Sequence, residues 1–139
     1  MSWRGDDGAI ASARAGHDAI MTPTHHTYFD YYQSRNRTAE PLAIGGFLPL
    51  DTVYTWEPVP AALEAQHHGR LLGVQGQVWT EYIPDGRAVE YMAFPRMSAL
   101  AEVAWTPAAR KELAGFKARM RAHMERLRAL DANARAIEP

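Results

Sequence analysis

The chain reads as an α/β fold with parallel strands, and three stretches carry that reading. Asp6 to Met21 runs from helix to strand within about 20 residues, the second half of a strand–helix–strand unit. Leu71, Leu72 and Val74 form a short apolar run that turns polar and aromatic at Gln75, Gln77, Trp79 and Glu81. Such a run predicts a buried strand whose C-terminal end opens into a site, since ligands of parallel α/β sheets bind at the carboxyl ends of strands. Ala88 to Trp105 then returns to helical spacing through Met92, Met97, Leu100, Ala101 and Ala104.

In chain order, Asp6 or Asp7 is the expected cap of the first helix, with Ile10, Ala11 and Ala15 as its small apolar face and Gly16 as its stop. His17 to Met21 is the first strand, ending at Thr22-Pro23. The segment 24–33 that follows is dense in aromatic and hydrogen-bonding groups, either a binding loop or a packed aromatic one. His25 and His26 are adjacent, so an extended backbone points them to opposite sides. No acidic or histidine partner stands at metal-ligand spacing, which argues against a zinc site. Residues 34–60 form a long irregular connection punctuated by Pro41, Gly45-Gly46, Pro49, Pro58 and Pro60. Loops of that length are usually functional; here covering an edge of the fold is the favoured role for Trp56. Leu50 to Trp56 adds a short extended or helical piece, and Ala61 to His67 a short helix ended by Gly69.

Pro84-Asp-Gly-Arg87 is a turn. Pro95 interrupts the helical pattern after it, as a kink or as the start of a second helix, because proline lacks the amide donor. Arg96 and Glu102 are expected to form structural ion pairs. Thr106 with Pro107 marks a helix start. The last helix then places Leu113, Phe116, Met120, Met124 and Leu127 on one face, and basic residues from Arg110 to Arg128 on the other. An ordinary solvated face accounts for those charges. An anionic partner is the alternative.

Composition narrows the function. The 139 residues are 47% hydrophobic and 22% charged, the balance of a globular protein. A net charge of −1 gives no electrostatic reason to expect nucleic acid or an anionic membrane. Without cysteine there is no disulfide or thiolate chemistry. No apolar run reaches the roughly 20 residues of a membrane span. Met1-Ser-Trp-Arg-Gly5 lacks the apolar core of a signal peptide. Trp79, two residues before Glu81, suits a sugar: an indole covers the apolar face of a pyranose while a carboxylate accepts bonds from its hydroxyls. A core tryptophan beside a solvated glutamate fits the same two residues.

Taken together, the motifs resemble the C-terminal part of the family-20 glycoside hydrolases, the β-N-acetylhexosaminidases. The matching segments are Ser2-Trp-Arg-Gly5, Ala15-Gly-His-Asp18, Tyr28-Phe-Asp-Tyr31, Val53-Tyr54 with Glu57-Pro58, Gly73-Val-Gln-Gly76, Trp79-Thr-Glu81, Tyr91-Met-Ala-Phe-Pro-Arg96 and Ala99 to Trp105. They occur in the family's order along nearly the whole chain. The resemblance implies an α/β fold, the C-terminal portion of a (β/α)8 TIM barrel. Residues 1–105 would be the barrel part and 106–139 a terminal helical extension.

Family members hydrolyse terminal β-linked N-acetylhexosamines with retention. The substrate's acetamido oxygen attacks the anomeric carbon, a Glu protonates the leaving oxygen, and an adjacent Asp orients the acetamide. No Asp-Glu dipeptide occurs in this sequence, so the resemblance implies a chain that is inactive alone. What carries over is the sugar pocket. Tyr28 matches the tyrosine that binds the acetamido oxygen, a catalytic role. Trp3 and Trp79 match the walls of the sugar site, Glu81 the carboxylate for outer hydroxyls, and Asp30 a supporting group. The expected partners are N-acetylhexosamine-containing glycans, with no metal or organic cofactor. By resemblance the parent enzyme would be periplasmic or secreted. Too few strands are present to close a barrel, so exposed edges around Leu71, Leu72 and Val74 should lead to self-association or to pairing with an upstream barrel half. Two other classes stay open: a non-catalytic carbohydrate-binding module using Trp3, Trp79 and Glu81, and an interaction domain built on the terminal helix.

Overall fold

The computed structural model describes residues 1–137. Helix α1 (Asp7–Arg14) leads into strand β1 (Ala19–Met21), as the helix-then-strand pattern predicts. Its buried face is Ala9, Ile10 and Ala13, while Ala11 and Ala15 are exposed. The reason lies outside the helix. Asp6 makes no side-chain cap bond; instead Ser2 Oγ accepts from the Ala9 amide at 3.2 Å, turning that side of the helix inward. Gly16, at φ +83°, ends it where a side chain would be strained.

Strand β2 (Leu71–Val74) runs parallel to β1, with Ala19 opposite Leu71, Ile20 opposite Gly73 and Met21 opposite Val74. Leu72 is an extra residue in that register, a bulge, and Gly73 beside it takes φ +151°. Ser2 bridges β1 on its other side at Met21. Beyond the strands the pairing resumes: Phe29 N donates to Gln77 O and Gln77 N to Thr27 O, both at 2.7 Å. The predicted strand exists, but it is not buried. Leu72 is 66% exposed, because β2 has no strand on its outer edge among the described residues.

Between the strands, α2 (Thr24–Thr27) is a single helical turn, so His25 and His26 do not alternate as extended residues would. His25 is exposed, and His26 stacks on Trp56 with ring centroids 5.2 Å apart. The piece around Tyr54 is helical, α3 (Leu50–Thr55). No α-helix forms over 61–67. A 3-10 turn at Ala65–Arg70 replaces it, since this stretch offers Leu63 alone as an apolar anchor and buries nothing from Ala65 onward. After β2 come α4 (Gly86–Ala93), capped by Asp85 accepting from Ala88 N, and α5 (Arg96–Trp105). Pro95 therefore separates two helices rather than kinking one. Helix α6 (Leu113–Ala129) starts later than Thr106-Pro107 suggested. Its cap is Glu112, whose carboxylate accepts from Ala114 N and Gly115 N, while Pro107 precedes a 3-10 turn. Phe116 and Met120 of α6 join Met21, Phe29, Val53, Tyr54, Leu100 and Val103 in the main core, with Tyr54 stacked on Phe116 at 4.1 Å.

Arg96 is fully buried in this core. The expected ion pair holds for Glu102, which meets Arg119. It fails for Arg96, whose guanidinium hydrogen-bonds only to backbone carbonyls. Nη1 donates to Tyr31 O and Leu48 O, each at 3.0 Å, and the remaining donors reach Phe29 O and Met92 O. The planar fork matches four carbonyls from three segments, a geometry a lysine ammonium cannot reproduce. Burial lowers the Arg96 pKa to about 9, opposed by the charges of Asp30 and Glu40, so it stays protonated at neutral pH. Arg96→Met should cost more than about 3 kcal/mol of unfolding free energy, because several buried carbonyls lose their donor at once. Arg96→Lys should recover less than half of that. Urea denaturation checks both, and a cost for Arg96→Met below about 1 kcal/mol would remove the guanidinium from this structural role.

Candidate functional site

A cleft of about 570 Å³ opens at the carboxyl ends of β1 and β2. Trp3, Tyr28, Asp30, Trp79 and Glu81 all line it, together with Met1, Thr22, Tyr31, Ile44 and Gln77. The backbone explains the convergence. Trp3 follows the Ser2–Met21 bridge, and its carbonyl accepts from the amide and hydroxyl of Thr24 at 3.0 and 2.7 Å. Tyr28 sits at the end of α2 and is bridged to Gln77. Gln77 and Trp79 follow β2 two residues apart, where residues of an extended chain share a side, and Glu81 stands in the turn that comes next.

Exposure divides the cleft into walls and floor. Trp3 and Trp79 are about half exposed, at 48% and 51%, so their indoles have free surface. Tyr28 is partly buried, and its ring stands 6.0 Å from that of Tyr31. Glu81 is exposed at the rim, while Asp30 is 94% buried, with its Oδ1 lacking a partner. Burial raises the Asp30 pKa above its ordinary value, the Glu81 charge adds to the rise, and Arg96 opposes it. The peptide carbonyls on either side of Asp30, from Phe29 and Tyr31, are the ones Arg96 holds. Under this loop Gly76 is packed so closely that an added Cβ would fall 2.7 Å from the Phe29 ring. Any larger residue there would push against the loop that carries Tyr28 and Asp30.

The arrangement has two half-free indoles, a phenol, one exposed and one buried carboxyl, and an amide. It can cover an apolar ring face and exchange several hydrogen bonds at the ring's edge. Among the described residues no group of three or more His, Asp or Glu is placed to hold a metal ion, and no helix is long and apolar enough to cross a membrane. Sequence reasoning did not single out Thr22 or Tyr31. Gln77 was visible in the period-two polar pattern; Thr22 reads as an ordinary strand end before proline.

Cleft and strands together define part of a parallel α/β fold with an open cleft at its strand ends, and comparison with known proteins identifies its family. Residues 1–108 match the description "Glycosyl hydrolase family 20, catalytic domain". The chain belongs to this family. It is 47% identical over 121 residues to a β-hexosaminidase of Porphyromonas gingivalis, covering 86% of this chain and 15% of that protein. A β-N-acetylhexosaminidase of Cellulomonas fimi is 32% identical over 114 residues, covering 82% of this chain and 23% of its own. An exo-β-N-acetylglucosaminidase of Vibrio harveyi, solved in complex with N-acetylglucosamine, superposes with a TM-score of 0.83 at 31% identity, covering 97% of this chain and 21% of that one. The chain thus spans about a sixth to a quarter of the length of these relatives. Its β1–β2 pair and flanking helices form part of a (β/α)8 TIM barrel.

The buried carboxyl gives a pH signature. A raised pKa means the fold penalises the charged Asp30, fully so above its folded pKa. Below the ordinary value of 3.8 the residue is neutral folded or unfolded, and the penalty vanishes. Asp30→Asn should therefore raise stability relative to the parent at pH 7, and the advantage should shrink as the pH falls through the raised folded pKa toward the ordinary value of 3.8 and be gone below it. Urea unfolding at several pH values measures it; an Asn–Asp difference that does not vary with pH would contradict the assignment.

Proposed function

We propose that this chain supplies part of the terminal-sugar pocket of a β-N-acetylhexosaminidase, which removes terminal β-linked N-acetylhexosamines from glycans by substrate-assisted, retaining hydrolysis. The observation that carries the reading is the meeting of Trp3, Tyr28, Asp30, Trp79 and Glu81 in one cleft at the strand ends. In this reading Trp3 and Trp79 wall the pyranose and Glu81 binds its outer hydroxyls, with Asp30 supporting the floor. The Tyr28 hydroxyl bonds the acetamido oxygen as that oxygen attacks the anomeric carbon, so the bond strengthens as charge develops. Residues 1–105 are the barrel part and 106–139 an extension, a division supported by the family match ending at residue 108.

Protonation of the leaving oxygen needs an acid working beside a group that orients the acetamide. The sequence has no adjacent Asp-Glu pair, which supports inactivity of the 139 residues alone. A chromogenic N-acetyl-β-glucosaminide should give no turnover with the purified chain and turnover once the rest of a family-20 barrel is supplied. In that complemented protein Tyr28→Phe should lower kcat roughly 10- to 1000-fold with a smaller change in KM. Turnover by the chain alone that disappears in Glu81→Gln would overturn the reading and make Glu81 the acid. A non-catalytic carbohydrate-binding module is the second reading, favoured by the half-exposed Trp3 and Trp79 beside Glu81. It would be preferred if the chain binds sugar and complementation never yields turnover.

The free outer edge of β2 and a groove of about 410 Å³ lined by Leu71, Leu72, Val103 and Trp105 support pairing with another barrel segment, or self-association in its absence. Trp105 is 89% exposed there. Sedimentation should show dimers or larger species at micromolar concentration, reduced by Leu72→Lys. A monomer that binds no apolar dye would count against this.

A further inference from the structure

Among the described residues three buried side-chain polar atoms have no hydrogen-bond partner: Thr22 Oγ1, His26 Nδ1 and Asp30 Oδ1. Thr22 and Asp30 both line the cleft described above. Their exposures are 1% and 6%, so bulk water does not compensate them. The local fold readily satisfies other threonines. Thr24 Oγ1, two residues on, donates to Trp3 O, and Thr27 Oγ1 donates to Pro23 O. The Thr22 amide has a partner as well, donating to Ser2 O. Its side-chain hydroxyl is left over, in a residue on the wall of the cavity.

The chemistry of the two orphans selects a ligand group. A threonine hydroxyl both donates and accepts, whereas an ionised carboxylate only accepts. A group that satisfies the pair must accept from Thr22 and donate to Asp30. An alcohol does both. An acetamide carbonyl only accepts and an ammonium only donates, so neither completes the set.

We propose that Thr22 is a specificity-determining residue of this cleft, its hydroxyl and the Asp30 carboxylate together holding one ring-edge hydroxyl of the bound pyranose. The inference rests on the sugar-pocket reading and deepens it. The acetamide is assigned to Tyr28 at one side of the pocket, and a free hydroxyl to the floor between Thr22 and Asp30. A sugar lacking that hydroxyl leaves both oxygens unpaired and is rejected.

The experiment is an NMR titration of the full chain with N-acetylglucosamine and its monodeoxy analogues. Thr22→Val keeps the shape and removes the hydroxyl; it should weaken N-acetylglucosamine binding roughly tenfold, while Thr22→Ser stays within about threefold of the parent. One monodeoxy sugar should show the same tenfold loss against the parent chain and no further loss against Thr22→Val, the coupling expected of a direct contact. If Thr22→Val binds like the parent while Trp79→Ala loses binding, the Thr22 inference is wrong and the sugar-pocket reading stands. If the parent binds neither alone nor when complemented with the rest of a family-20 barrel, or if Trp79→Ala binds as well as the parent, both fall. Should Thr22→Val fail to fold, the deoxy series on the parent decides: the absence of any single hydroxyl whose removal costs about tenfold overturns the proposal.

Discussion

A guanidinium sealed from water and bonded to carbonyls alone is an unusual use of charge, and the architecture around the cleft hangs on it. Arg96 begins α5, and its donors reach back to Met92, across to Leu48, and to the carbonyls of Phe29 and Tyr31, the residues on either side of Asp30. The carbonyls of Phe29, Tyr31 and Leu48 lie in irregular chain, where no strand or helix ladder would satisfy them, while that of Met92 lies in the last turn of α4. Without the guanidinium the loop would need water inside the core. Its charge also opposes the rise in the Asp30 pKa, so one side chain fixes the backbone of the site and tempers the electrostatics of its floor.

The cleft is formed by chain ends and crossings rather than by any one element. Trp3 lies before the first helix, Tyr28 and Asp30 lie after β1, and Trp79 and Glu81 after β2. Parallel pairing makes these positions neighbours, because both strands finish at the same end of the sheet. The half-exposed tryptophans show a pocket built from one side. What faces them is open, and a ligand held here alone would have less than a full shell of contacts.

Much of this was legible from residues, for identifiable reasons. The turn from apolar to polar at Gln75 marks the strand end, and the period of two at Gln77 and Trp79 records which residues share a side. Pro95 signalled a break in helix. The failures have a common physical origin. The inward face of α1 depends on Ser2 standing over Ala9, and the partners of Arg96 are carbonyls whose positions exist only once the loop has folded. Charge patterning suggests carboxylate partners for an arginine and is blind to backbone acceptors. Helix α6 begins at Glu112, although Thr106-Pro107 is a respectable start by local chemistry, because Phe116 must reach Tyr54. Thr22 is silent for the opposite reason: nothing about Thr-Pro at a strand end announces that a hydroxyl will be left without a partner.

The pairing of β1 with β2 has a further, kinetic consequence. Ala19 finds Leu71 only after roughly 50 residues of mostly irregular chain have been looped out, and that entropy must be spent before any ladder bond returns it. Neither strand has a hairpin partner to zip against. The contacts of α3 with α5 and α6 close loops of similar length, so the core around them carries a comparable entropic cost. The site, which straddles the two strand ends, therefore takes its shape only through long-range closure of the chain, and such high contact order slows folding.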